Sequence, residues 1–100
     1  MTIKANFEYN EDKNQFLKSL RGVSFEDVVD AAEKGDILDN IEHPNKIKYP
    51  NQRILVVKIR DYVYAVPYVL TKDGRAFLKT MYANRELNSI YLKYAKDAKK

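Results

Sequence analysis

Hydrophobic and polar residues alternate from Ile3 to Tyr9, with Ile3, Ala5, Phe7 and Tyr9 on one side, and this period of two predicts an opening β-strand. Asn10 then reads as a helix N-cap with Glu11 and Asp12 in the first turn. Phe16, Leu17 and Leu20 make the apolar side of that helix, and Gly22 ends it. Ser24 opens a second helix with Glu26 and Asp27 early in it. Its stripe of Phe25, Val28, Val29 and Ala32 falls at i, i+3, i+4 and i+7, and Gly35 closes it. The two helices form an antiparallel hairpin.

From Asp36 to Gln52 the pattern loses its period. Pro44, Pro50, Asn40, Asn45 and Asn51 predict a loop with one short strand around Lys46–Tyr49. A loop this long inside a compact domain points to a functional or partner-contacting segment. Three strands follow: Arg53–Arg60, Tyr62–Leu70 and Arg75–Tyr82. Pro67 requires a bulge or a free edge in the second, and Lys72-Asp73-Gly74 is a hairpin turn. Asn84 caps a last helix from Arg85 to about Lys99, with Leu87, Ile90, Tyr91, Tyr94 and Ala95 docking on the sheet. The expected fold is α+β in the order β-α-α-β-β-β-α: one domain over residues 1–100, with a mainly antiparallel sheet and the helices packed on it.

Charge sharpens this picture. Residues 1–50 carry 7 Lys/Arg against 10 Asp/Glu, and residues 51–100 carry 11 against 4. A basic second half predicts a polyanion-binding surface; the terminal Lys96, Lys99 and Lys100 read as solubilising charge. There is no cysteine, so disulfides and thiol nucleophiles are excluded. The single histidine, His43, lies in the irregular loop and reads as solvated. No His/Cys cluster has metal-ligand spacing, and three glycines provide no phosphate-cradling loop, so no metal or cofactor is expected. Glu11/Asp12 and Glu26/Asp27 read as helix-start charges. No apolar run approaches the roughly 18 residues that span a bilayer, and the first residues lack a signal peptide's apolar stretch; a cytoplasmic location is the expectation.

The remaining chemistry is cationic and aromatic: Arg53, Lys58 and Arg60 on the first of the three strands, Arg75 and Lys79 on the third, and Arg85 at a helix start. Arg75 and Lys79 share a strand face with Phe77 and Met81, so Lys79 either snorkels or lines an anionic site. Six of the eight tyrosines, Tyr62, Tyr64, Tyr68, Tyr82, Tyr91 and Tyr94, fall in the basic half. Most are core, and one or two can stack on bases.

Phe7-Glu8-Tyr9-Asn10-Glu11-Asp12-Lys13-Asn14, Gly22-Val23-Ser24-Phe25-Glu26-Asp27-Val28 and the later Lys79…Arg85 segment, in this order, resemble BrnT-type toxins over about residues 5–95. That family belongs to the RelE-like ribonuclease toxins. The resemblance implies a RelE-like fold, RNA cleavage without metal, and a cognate antitoxin, a small ribbon-helix-helix-type DNA-binding protein. The chain departs from the family's pattern at Arg21, where a histidine is usual, and at Tyr82-Ala83-Asn84-Arg85, one residue longer than the usual Ser-Ala-Arg.

For an endoribonuclease that uses the RNA 2′-OH, Arg85 would bind the phosphate and its transition state. Lys79 would be a second electrostatic partner, or a base if desolvated. Tyr82 or Tyr91 would stack or donate a proton. Arg21, Arg53, Lys58, Arg60 and Arg75 would contact RNA elsewhere. The competing expectation is a non-catalytic nucleic-acid-binding or protein-interaction domain on the same fold.

Overall fold

A computed structural model describes residues 2–4 and 6–92. The two helices form where their caps place them. Helix α1 (Glu11–Arg21) starts with the Asn10 side chain accepting the Lys13 N–H and ends at Gly22, whose φ of 70° is the left-handed conformation glycine adopts without strain. Helix α2 (Phe25–Lys34) starts with a reciprocal capping box between Ser24 and Asp27 and ends at Gly35. Replacing Ser24 by alanine removes that cap; a loss of about 1 kcal/mol in urea unfolding is expected, and an unchanged midpoint would contradict the cap's role.

Among the described residues the sheet has seven strands: β1 (Thr2–Lys4), β2 (Phe7–Tyr9), β3 (Ile37–Glu42), β4 (Arg53–Ile59), β5 (Tyr62–Leu70), β6 (Ala76–Leu78) and β7 (Tyr82–Ala83). Their spatial order is β1-β2-β6-β5-β4-β3, with β7 also on β5. Every pairing is antiparallel except β2 with β6. The fold is therefore α+β with a mostly antiparallel mixed sheet. Among the described residues no helix is long and apolar enough to cross a membrane.

Register assigns the two faces. Leu55, Val57 and Ile59 pair with Val66, Tyr64 and Tyr62, and this face carries the main core with Phe25, Val28 and Leu17 of the helices. The opposite face holds Ile54, Val56, Lys58, Val63, Ala65 and Pro67. There β5 packs against helix α3 (Arg85–Leu87) and the π-helical turn Asn88–Leu92.

Several sequence expectations need correction. The opening strand is a hairpin, with Lys4 opposite Phe7, because Asn6 suits a turn. The segment expected to be loop contains β3; as an edge strand it buries little, so its polar Asp39, Asn40 and Glu42 hide its extended form. The strand expected near Lys46–Tyr49 is a turn closed by Tyr49 N–H on the Asn45 carbonyl, with Ile47 97% exposed. His43 is half-buried in this turn, its ring 4.6 Å from that of Tyr49.

The expected Arg75–Tyr82 strand breaks between Leu78 and Tyr82. Pro67 lies opposite the break: its carbonyl accepts Lys79 N–H, so its missing donor points to the gap. The break also turns Met81 into the helix-side core, fully buried, away from Phe77. On α1, Leu17 is buried but Phe16 and Leu20 are 53% and 60% exposed. The last helix is replaced, as far as residue 92, by the short α3 and the π turn, with Ile90 56% exposed. Tyr94, Ala95, Lys96, Lys99 and Lys100 lie outside the described residues.

Candidate nucleic-acid interface

The cations of the basic half do not converge in one hollow. Arg53 opens β4 and Arg60 lies just past its other end, on the order of 20 Å away at about 3.3 Å per residue. Most are occupied by the protein itself. Arg53 donates through Nε and Nη2 to Oδ1 and O of Asn40 on the edge strand, each at 3.0 Å, and Tyr68 OH donates to the same Oδ1. Arg53 also lines an open hollow of about 520 Å³ with Asn51, Tyr68, Val69 and Leu70. Arg60 is in the two-residue β4–β5 turn, at φ 48°, and donates to the Gly22 carbonyl at 2.9 Å, with Asp27 3.5 Å away. Arg21 donates to the Met81 carbonyl at 2.6 Å, tying the end of α1 to the break before β7. Arg75 pairs with Asp73 at 3.1 Å and faces the buried Glu8 at 3.8 Å. Lys58, mostly buried, is 3.8 Å from Asp61.

Four of these side chains therefore satisfy carbonyls, carboxylates and an edge strand, and Lys58 makes only the long contact with Asp61. A cation already hydrogen-bonded to the protein gains less from a phosphate than a free one, because the existing bond must be given up.

Tyr91 is likewise committed. Its hydroxyl donates to Asp39 Oδ2 at 2.7 Å, fastening the π turn to β3. That bond holds the Asp39 carboxyl below the usual carboxylate range, helped by the Asn40 N–H, and pushes the Tyr91 phenol above its usual value. Both shifts carry a sign for stability. Asp39, lowered on folding, stabilises above its unfolded pKa and loses this as pH falls through the folded one. Tyr91, raised, stabilises below its unfolded pKa and loses this as pH rises through the folded one. The bond is thus complete between the ordinary values of 3.8 and 10.0. Tyr91→Phe is expected to lower the urea midpoint throughout that window and to approach the wild-type protein only outside it, as pH falls through the folded Asp39 value or rises through the folded Tyr91 value; a pH-independent difference would contradict this.

Three predicted site residues remain uncommitted, and they share one segment. Lys79 is exposed and its ammonium lies 5.5 Å from the Phe77 ring centroid, its one contact of this kind among the described residues. Tyr82 is half-buried on β7 opposite Ala65. Arg85 is exposed at the first position of α3, and its side chain has no hydrogen-bond or ion-pair partner among the described residues. By register, Phe77 and Tyr82 lie on the face opposite α1 and α2, and Lys79 follows Phe77 there. Lys58 occupies the same face, in the row that crosses Val63 to Asn84. The exposure of Lys79 removes the burial its role as a base required and leaves the electrostatic one.

Four asparagines hold these elements, and sequence reasoning missed three of them. Fully buried Asn14 accepts the Phe25 N–H at 2.7 Å and donates to Glu11 and Glu26, bonding α1 to α2. Asn40 joins Arg53 to Tyr68, and Asn84 and Asn88 fix the turn bearing Arg85. Only Asn84 had a readable signal, as an N-cap.

In comparisons with known proteins, no family model, no curated protein and no solved structure matches this chain.

Proposed function

We propose that this chain is a BrnT-like, RelE-like endoribonuclease toxin that cleaves RNA by 2′-OH attack, without a metal, and is restrained by a cognate antitoxin. The observation that carries the reading is the contrast among its cations. Arg21, Arg53, Arg60 and Arg75 are spent on internal partners and Lys58 is half-buried 3.8 Å from Asp61, whereas the side chains of Lys79 and Arg85 flank Tyr82 on one short segment with no hydrogen-bond or ion-pair partner among the described residues.

Two cations and an aromatic ring on one segment suit a sugar–phosphate chain. The Arg85 guanidinium matches two phosphate oxygens, and the Lys79 ammonium adds a second positive charge. Tyr82 offers a ring face or a hydroxyl to the adjoining nucleotide. In a cleavage step the 2′-hydroxyl gives its proton to water as its oxygen bonds to phosphorus, the bond to the 5′-oxygen breaks, and the leaving oxygen takes a proton from water. Arg85 and Lys79 would offset the charge that builds on the phosphoryl oxygens between these events.

A non-catalytic RNA binder would use the same segment, and one experiment separates the two. The protein is incubated with labelled RNA in excess chelator and, in parallel, run in a band-shift assay at rising salt. Fragments in chelator support the toxin reading. A salt-sensitive shift of intact RNA supports the binder, and the absence of both removes the nucleic-acid reading.

A further inference from the structure

Arg85 stands in a turn hooked at both ends to one residue of the sheet. The Val63 carbonyl on β5 accepts the Asn84 N–H at 3.1 Å, and the Val63 N–H donates to Asn88 Oδ1 at 3.0 Å. The turn is closed on itself as well: Asn84 Oδ1 accepts the Leu87 N–H at 2.9 Å, and Asn88 N–H donates to the Asn84 carbonyl at 2.8 Å.

In an antiparallel ladder the N–H and C=O of one residue point to the same neighbour. Beyond Ala83 the chain leaves the strand, so no backbone carbonyl of β7 remains for Val63 N–H. The Asn88 side chain supplies that acceptor. Val63 is fully buried, so an N–H left without a partner there would be costly. The bond is therefore retained, and with it the position of the turn.

We infer that Asn88 is a positioning residue for Arg85: its amide stands in for the missing strand and fixes the Arg85 backbone on the sheet's central strand. This rests on the reading of Arg85 as the phosphate-binding group. Long cationic side chains lose much rotamer freedom on binding, and a fixed backbone origin limits what must still be ordered.

The test is a double-mutant cycle with Asn88→Leu, which keeps the volume and removes the acceptor, and Arg85→Ala. RNA affinity and cleavage of a short RNA are measured in all four proteins, with hydrogen exchange at the Val63 amide. In the native background Asn88→Leu is expected to weaken binding and kcat/KM by about ten-fold; with Arg85→Ala already present it should cost less than about two-fold. Val63 exchange should accelerate in both, and Asn88→Asp, which keeps the oxygen, should restore slow exchange. Asn88→Ser replaces the leucine variant in the same cycle if that variant does not fold. Equal losses in both backgrounds, or none in either, overturn the inference while leaving the toxin reading standing. A wild-type protein that neither cleaves nor retains RNA overturns the underlying reading, and this inference with it.

Discussion

Arg85→Ala is expected to lower RNA cleavage by about 10²- to 10³-fold, the loss typical of a group that stabilises developing transition-state charge. Arg85 is exposed and its side chain has no partner among the described residues, so the same substitution should change stability by less than about 0.5 kcal/mol. That combination distinguishes it from Arg21. The Arg21 guanidinium is bonded to the Met81 carbonyl, and Arg21→Ala should lower the unfolding midpoint while the folded protein keeps most of the proposed cleavage rate. Lys79→Ala should resemble Arg85→Ala with a smaller loss, since its point charge lacks the bidentate match. Single-turnover cleavage and urea unfolding on each variant check this. Wild-type rates for Arg85→Ala would contradict it, and so would a fall in rate matched by a fall in stability.

The second large effect is on folding. Phe25→Ala is expected to cost about 3–5 kcal/mol, out of the roughly 5–15 kcal/mol available to a small domain. Phe25 is fully buried at the first turn of α2, its ring centroid is 5.2 Å from that of Tyr9 on β2, and its N–H is bonded to Asn14 of α1. It therefore joins both helices and the sheet, and the cavity left by alanine opens among all three. Phe16→Ala is the control. With half its surface exposed, Phe16 should tolerate the change to within about 0.5 kcal/mol. Urea unfolding of the two variants decides this; equal losses would mean that α1 presents a different face to the core.

The legible parts of the fold were those fixed by local chemistry. Asn10, Gly22, Ser24 and Gly35 mark helix ends because an N-cap oxygen and a left-handed glycine act within one turn. Phe25, Val28 and Val29 of the predicted stripe are buried because their spacing follows the helix, while Ala32 is half-buried. What escaped was decided by distant partners. Strand β3 is defined by pairing with β4, and the break that redirects Met81 answers Pro67 on another strand.

The same division runs through the site. Charge showed which half would be basic, but not which cations would stay free. Arg21, Arg60 and Arg53 find their partners 60, 38 and 13 residues away, at backbone carbonyls that carry no signal in sequence. Lys79 and Arg85 remain free because nothing acidic is folded against them among the described residues. Asn88 was invisible for a related reason: its role depends on where β7 stops along β5.

The end groups of the RNA test the central claim most directly. Attack by the 2′-oxygen leaves a 2′,3′-cyclic phosphate on the upstream fragment and a free 5′-hydroxyl on the downstream one. The purified protein, given labelled RNA in excess chelator, should yield both ends, and Arg85→Ala should yield almost none. Intact RNA, or fragments bearing 5′-phosphates, would contradict the account.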